Sequence, residues 1–145
     1  MNRLKRSGPL LLVLATVASA GCGSETDTRP AKWSYLSTAI IQPSCATANC
    51  HSNLSQRSGV VLDDIRGGYS QLVGRHFVLP TRPAESALVE LLKGQGSRRM
   101  PPDFPLAQDD IALISTWISN GALYDGPGSP PVNPAPPTSD AGTGN

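Results

Sequence analysis

The sequence predicts a small, mostly α-helical domain with a flexible N-terminal tether and a disordered, proline-rich C-terminal tail. Three observations carry this reading. Apolar residues recur at helical spacing near both ends of region 32–125, no long alternating run suggests an extended sheet, and the composition changes abruptly at each boundary.

Residues 1–21 begin with Arg3, Lys5 and Arg6, continue through the apolar run Leu10 to Ala15 and close on small residues, the pattern of a secretory signal peptide. The apolar run falls short of the roughly 20 residues a membrane span needs, so cleavage is expected. Ala18-Ser19-Ala20-Gly21-Cys22 resembles the lipobox of bacterial lipoproteins, in which the cysteine becomes the acylated N-terminus. Ser19 stands where lipoboxes usually carry leucine, and ordinary cleavage near Ala20 would instead leave Cys22 as a free thiol. The lipobox resemblance implies lipidation at Cys22 and a place in the bacterial cell envelope, tethered to a membrane on the extracytoplasmic side, in the periplasm or at the outer membrane. Residues 22–31 are polar and form the tether.

At the other end, 126–145 carries six prolines among glycines and serines, with Val132 its one large aliphatic residue, and cannot build a core. The folded unit is therefore 32–125. Three of the 12 basic residues lie in the leader, which leaves 9 against 11 acidic residues, a net charge of −2 on the mature chain. That balance gives no support to nucleic-acid binding.

Within the domain, Trp33, Leu36 and Ile40 fall at helical spacing, and Gln42-Pro43 predicts the end of that helix. Tyr69–Val73 reads as another turn or two of helix, bounded by Gly67-Gly68 and Gly74. Glu85–Lys93 carries Leu88, Val89, Leu91 and Leu92 before Gly94 and reads as helix. The segment 108–120 has Asp109 and Asp110 in its first turn, Ile111, Ile114 and Ile118 along one face and Gly121 after its end, the most complete helical signature in the chain. Gly59-Val60-Val61-Leu62 reads either as a short strand or as apolar loop.

The segment Cys45-Ala46-Thr47-Ala48-Asn49-Cys50-His51 carries the chemistry. Two thiols followed at once by an imidazole match the haem-attachment signal Cys-x-x-Cys-His with two added residues; the thiols of that signal add to the porphyrin vinyls and the histidine ligates iron. Residues five apart lie about 140° around a regular helix, so Ala46–Asn49 must loop outward for both thiols to face one macrocycle. A disulfide between Cys45 and Cys50 is the competing reading of the same segment, since exported thiols are commonly oxidised. A zinc site on Cys45, Cys50 and His51 lacks an evident fourth ligand, unless His76 supplied one.

A haem held by one histidine needs a sixth iron ligand. Met100 is the one methionine of the mature chain and stands in Ser97-Arg98-Arg99-Met100-Pro101-Pro102, shortly before the last helix, with Pro101 keeping it out of helical geometry. Its neighbours make a poor core segment, which argues for the ligand role over core filler. His76 competes for the same role. Arg75, Arg98 and Arg99 are candidates to pair with haem propionates but are not assigned to them. The small number of aromatics leaves a thin core that a macrocycle would fill.

In order along the chain, Cys45-x4-Cys50-His51, Gly59-Val60-Val61-Leu62-Asp63, Pro83-Ala84-Glu85-Ser86-Ala87-Leu88, Arg99-Met100-Pro101-Pro102 and Ile111 to Ala122 resemble the small class I c-type cytochrome domains called planctomycete-type cytochrome c, from about Trp33 to Tyr124. The resemblance implies one covalently attached haem c on Cys45 and Cys50, with His51 as the proximal and Met100 as the distal iron ligand. It also implies a cytochrome c-like fold in which Trp33, Leu36 and Ile40 meet Ile114, Trp117 and Ile118.

The chain departs from the family pattern in its wide thiol spacing and in lacking a proline soon after His51; a carbonyl within 58–60 is expected to orient the imidazole instead. The function implied is single-electron transfer between redox partner proteins, with no enzymatic step of its own. The alternatives are a haem-free lipoprotein interaction module with a Cys45–Cys50 disulfide, and a haem enzyme such as a peroxidase in which Met100 does not hold the iron.

Overall fold

The computed structural model describes residues 27–94 and 99–129. The calls on the signal peptide 1–21, on Cys22, on Arg98 and on tail residues 130–145 lie outside these. The described chain is mostly helical, as predicted, with no strand among the described residues: α1 (Trp33–Leu36), a π-helical stretch (Ser37–Ile41), α2 (Gln42–Cys45), α3 (Ile65–Gly74), α4 (Ala87–Lys93) and α5 (Gln108–Ser119). Single 3₁₀ turns occupy Arg57–Gly59 and Pro83–Glu85. No described helix is long and apolar enough to cross a membrane.

The first helix does not stop at Gln42-Pro43. Helical backbone runs through 33–45, and its last residue is Cys45. A proline inside an α-helix clashes with the carbonyl four residues back. The π-helical stretch directly ahead of Pro43, in which the Gln42 N–H reaches back to the Ser37 carbonyl, widens the turn at that point. The consequence is functional, because the added turn carries Cys45 to the edge of the site.

α3 also exceeds its prediction, starting at Ile65 and running through Gly67-Gly68. The signal for this start is Asp64, whose carboxylate accepts the Gly67 N–H at 2.7 Å as an N-cap. Gly68 is buried and faces the first helix, where a Cβ would sit 3.4 Å from the Trp33 ring. Gly59 closes the 3₁₀ turn and 60–62 is loop, with Val60 and Leu62 turned into the core.

α4 and α5 match their sequence signatures to within two residues. α5 carries Asp109 and Asp110 in its first turn and ends ahead of Gly121, whose φ of +96° suits a glycine.

Four aromatics organise one side of the core. Trp33 and Trp117 lie with ring centroids 5.2 Å apart, Tyr69 meets Trp33 edge-on at 5.8 Å, and Tyr124 lies 5.0 Å from Tyr69. Every polar handle in this cluster is used: Trp33 Nε1 donates to the Ile65 carbonyl at 2.7 Å, Trp117 Nε1 to Leu123 at 3.0 Å, Tyr69 Oη to Ala122 at 3.0 Å and Tyr124 Oη to Pro127 at 3.2 Å. Leu36, Ile40, Ile114 and Ile118 are buried in the same core. First and last helices thus meet through Trp33 and Trp117. Asp125 locks the arrangement by accepting from the Ser34 N–H at 2.7 Å and the Ser34 hydroxyl at 2.8 Å.

Packing extends past both predicted boundaries of the domain. In the segment read as tether, Arg29 pairs with Asp110 in the first turn of α5, and Ala31 packs on the core. In the segment read as tail, Pro127 accepts from Arg66 Nη2 at 2.7 Å, and Gly126 is buried.

Candidate functional site

The loop after the first helix is shaped by its own backbone. Cys45 closes the helix, the Cys50 N–H donates to Thr47 at 2.9 Å, and the His51 N–H reaches back across the loop to the Cys45 carbonyl at 3.0 Å. This last bond bulges 47–49 into solvent and brings His51 beside Cys45. The Cys50 carbonyl then accepts from the Arg57 N–H at 3.0 Å and from the Ser55 hydroxyl, and the His51 carbonyl accepts from Leu62 at 2.8 Å. Two thiols and an imidazole are therefore fixed on one short, self-bonded segment.

Met100 arrives from the other side. Its N–H donates to the Leu91 carbonyl at 3.0 Å, which pins the Met-Pro-Pro loop to α4. Arg99 holds the loop's far side by donating to the Pro101 and Pro102 carbonyls at 3.4 and 2.8 Å. The Met100–Pro101 peptide is cis.

These segments enclose a cavity of about 260 Å³, lined by Cys45, His51, Ser58, Val60, Leu62, Leu72, Phe77, Leu88, Leu91, Leu92 and Met100. A second lobe of about 40 Å³ shares Cys45, His51 and Met100 and adds Ser44, Cys50, Arg57, Pro101 and Pro102. Together the lobes stand at the lower end of the range for small-molecule sites, about 300–1,000 Å³. The wall is almost wholly apolar, and the groups able to hold a ligand are the thiols, the imidazole and the thioether. Cys45, Cys50 and His51 thus border one space with Met100, which lies 49 or more residues further along the chain.

Within it, His51 Nδ1 is buried and has no hydrogen-bond partner among the described residues. The expected carbonyl from 58–60 does not reach it; the Gly59 oxygen is occupied by Arg75 Nη1 at 2.8 Å. An orphaned buried nitrogen costs about 1–3 kcal/mol unless a water or a bound group satisfies it. Burial pushes the Cys45 thiol up to about 11, with the neighbouring Cys50 adding to the effect. Both cysteines are free thiols in the structure.

His76 is exposed, lies at φ +62° and lines neither lobe, whereas the adjacent Phe77 forms part of the wall. Arg75, a candidate propionate partner, is committed elsewhere: it binds Gly59 and Gln71 and stacks 5.4 Å over Phe77. Among the described residues no group of three His, Cys, Asp or Glu side chains is placed to hold a bare metal ion. Arg57 is the residue that sequence reasoning missed. Among the described residues it is the one charged side chain lining either lobe, and only the folded loop brings it beside Cys45 and Cys50. No protein-family model matches the chain, and no curated protein or solved structure matches it.

Proposed function

We propose that the chain is an exported, membrane-tethered monohaem c-type cytochrome, its haem held covalently by Cys45 and Cys50 with His51 and Met100 as axial ligands, that passes single electrons between partner proteins. One observation carries the reading: two thiols, an imidazole and the one mature methionine border a single apolar cavity, at the wide spacing that otherwise obscures the motif. The fit to haem rests on the donor set: two thiols, an imidazole and a thioether at an otherwise apolar wall.

When bound, the haem supplies a one-electron iron couple. The residues do the rest. Cys45 and Cys50 would hold the macrocycle, and the loop bond from the His51 N–H to the Cys45 carbonyl sets the imidazole relative to both thiols. The Leu91 carbonyl and Arg99 hold the Met100 loop in place, while Val60, Leu62, Leu72, Phe77 and Leu88 keep water from one face, which favours the less charged reduced state. With haem bound, His51 and Met100 would be the residues to hold its iron, and the chemistry supplied would be electron carriage rather than substrate turnover. The membrane tether and the envelope location rest on the lipobox at Cys22 and the leader before it.

The test is the absorption spectrum of the chain matured in a host that attaches c-type haem. A reduced α-band that survives denaturation and acid–acetone extraction is expected; a correctly exported chain without it would refute the assignment.

A further inference from the structure

The buried stripe of the first helix, continued at regular pitch, misses Cys45. At about 100° per residue, Trp33, Leu36, Ser37 and Ile40 fall within a sector of about 100°, and all four are buried. A regular helix would carry that stripe on to Ser44, and would leave Ile41 and Cys45 about 40° and about 80° past its edge. The side chains follow a different order. Ile41 is 1% exposed, Cys45 packs on the core and lines both lobes of the cavity, and Ser44 lines only the smaller lobe.

The π-helical stretch Ser37–Ile41 accounts for the shift. A turn closed between residues five apart takes in one residue more than an α turn, so side chains beyond it are rotated back by about one residue, or about 100°. Two features hold this wide turn. Pro43 offers no N–H to the Ala39 carbonyl, and at regular pitch its ring would collide with that oxygen. Gln42 is bound to Ser37 twice, through its backbone N–H to the carbonyl and through Nε2 to the hydroxyl at 3.2 Å, and Ser37 is fully buried.

Resting on the haem reading, we infer that Pro43 is a positioning residue: by enforcing the π turn it aims position 45, and not position 44, at the cavity that Cys50 and His51 border. The thiol at 45 is thereby placed to form its thioether. In that step the S–H adds across a vinyl C=C of the haem, sulfur bonding to one carbon and hydrogen to the other, and nothing is released.

The test crosses two thiol placements with two helices. The placements are the natural one and Ser44→Cys/Cys45→Ser; the helices are the natural one and Pro43→Ala, which restores the N–H and removes the collision. All four full-length chains are matured in a host that attaches c-type haem, and the thiols left free on the peptide spanning 44–51 are counted by alkylation after denaturation.

With Pro43 in place, the natural placement is expected to leave no free thiol and the shifted placement one. With Pro43→Ala the pattern inverts: the natural placement leaves one free thiol, and the shifted placement leaves none. General damage to the fold would lower attachment in both placements and could not produce that rescue. Any other distribution of thioethers among haem-bearing chains would overturn the inference and leave the haem assignment standing. Absence of haem from all four chains would overturn the haem assignment, and the inference with it.

Discussion

Trp33→Phe probes the contact on which the site's geometry hangs, because Trp33 opens the helix that ends at Cys45. The ring is 1% exposed and bonded through Nε1 to the Ile65 carbonyl at 2.7 Å. Phenylalanine removes that bond. Ile65 begins α3, so its carbonyl can also serve the helix ladder, and the loss is the net worth of one hydrogen bond, about 1 kcal/mol. The substitution also deletes two buried ring carbons at about 0.8 kcal/mol each. The contact to Trp117 at 5.2 Å shrinks with them. The expected destabilisation is about 2–3 kcal/mol, or about 10–20 °C in Tm for a domain of this size. Urea unfolding followed by far-UV circular dichroism measures it. A loss below about 0.5 kcal/mol would refute the claim that first and last helices are joined through this pair.

Three further outcomes follow from the site. Met100→Ala opens the sixth iron position, so the reduced protein is expected to bind carbon monoxide readily while His76→Ala leaves the spectrum unchanged; the reverse pattern would reassign the ligand. Cys45 in the haem-free, reduced chain has a raised pKa, which means its contribution to stability is complete below the ordinary thiol value of 9.0 and is lost as pH rises from there through about 11. Urea midpoints of that chain are expected to drop across this window more than those of Cys45→Ser, which retains the alkaline loss from the half-buried Tyr69. Asp125→Ala removes both bonds to Ser34 and is expected to cost about 1.5–3 kcal/mol in the same unfolding assay, since the acceptor is charged.

The sequence exposed those parts of the fold whose signals are local. α5 is legible because acids, an apolar face and a terminal glycine all fall within 14 residues, and the Cys50-His51 pair and Met100 stand out by residue type alone. Pro43 misled because its usual meaning is overridden by the π-helical stretch beside it. Gly67-Gly68 misled because a glycine that faces a neighbouring tryptophan looks in sequence like one that ends a helix; Asp64 three residues ahead was the readable clue. Arg57 was not legible at all, since its place at the cavity depends on the bond from its N–H to the Cys50 carbonyl. The carbonyl expected for His51 does not reach it, and the Gly59 oxygen accepts instead from Arg75, 16 residues further on.

The central claim is that Cys45 and Cys50 are thioether ligands of one haem, and intact mass spectrometry of the mature chain tests it most directly. The account predicts a mass raised by one haem, carried on the peptide that contains Cys45 to His51. A mass lower by two hydrogens on that peptide, with no haem, would mean a disulfide and would contradict it.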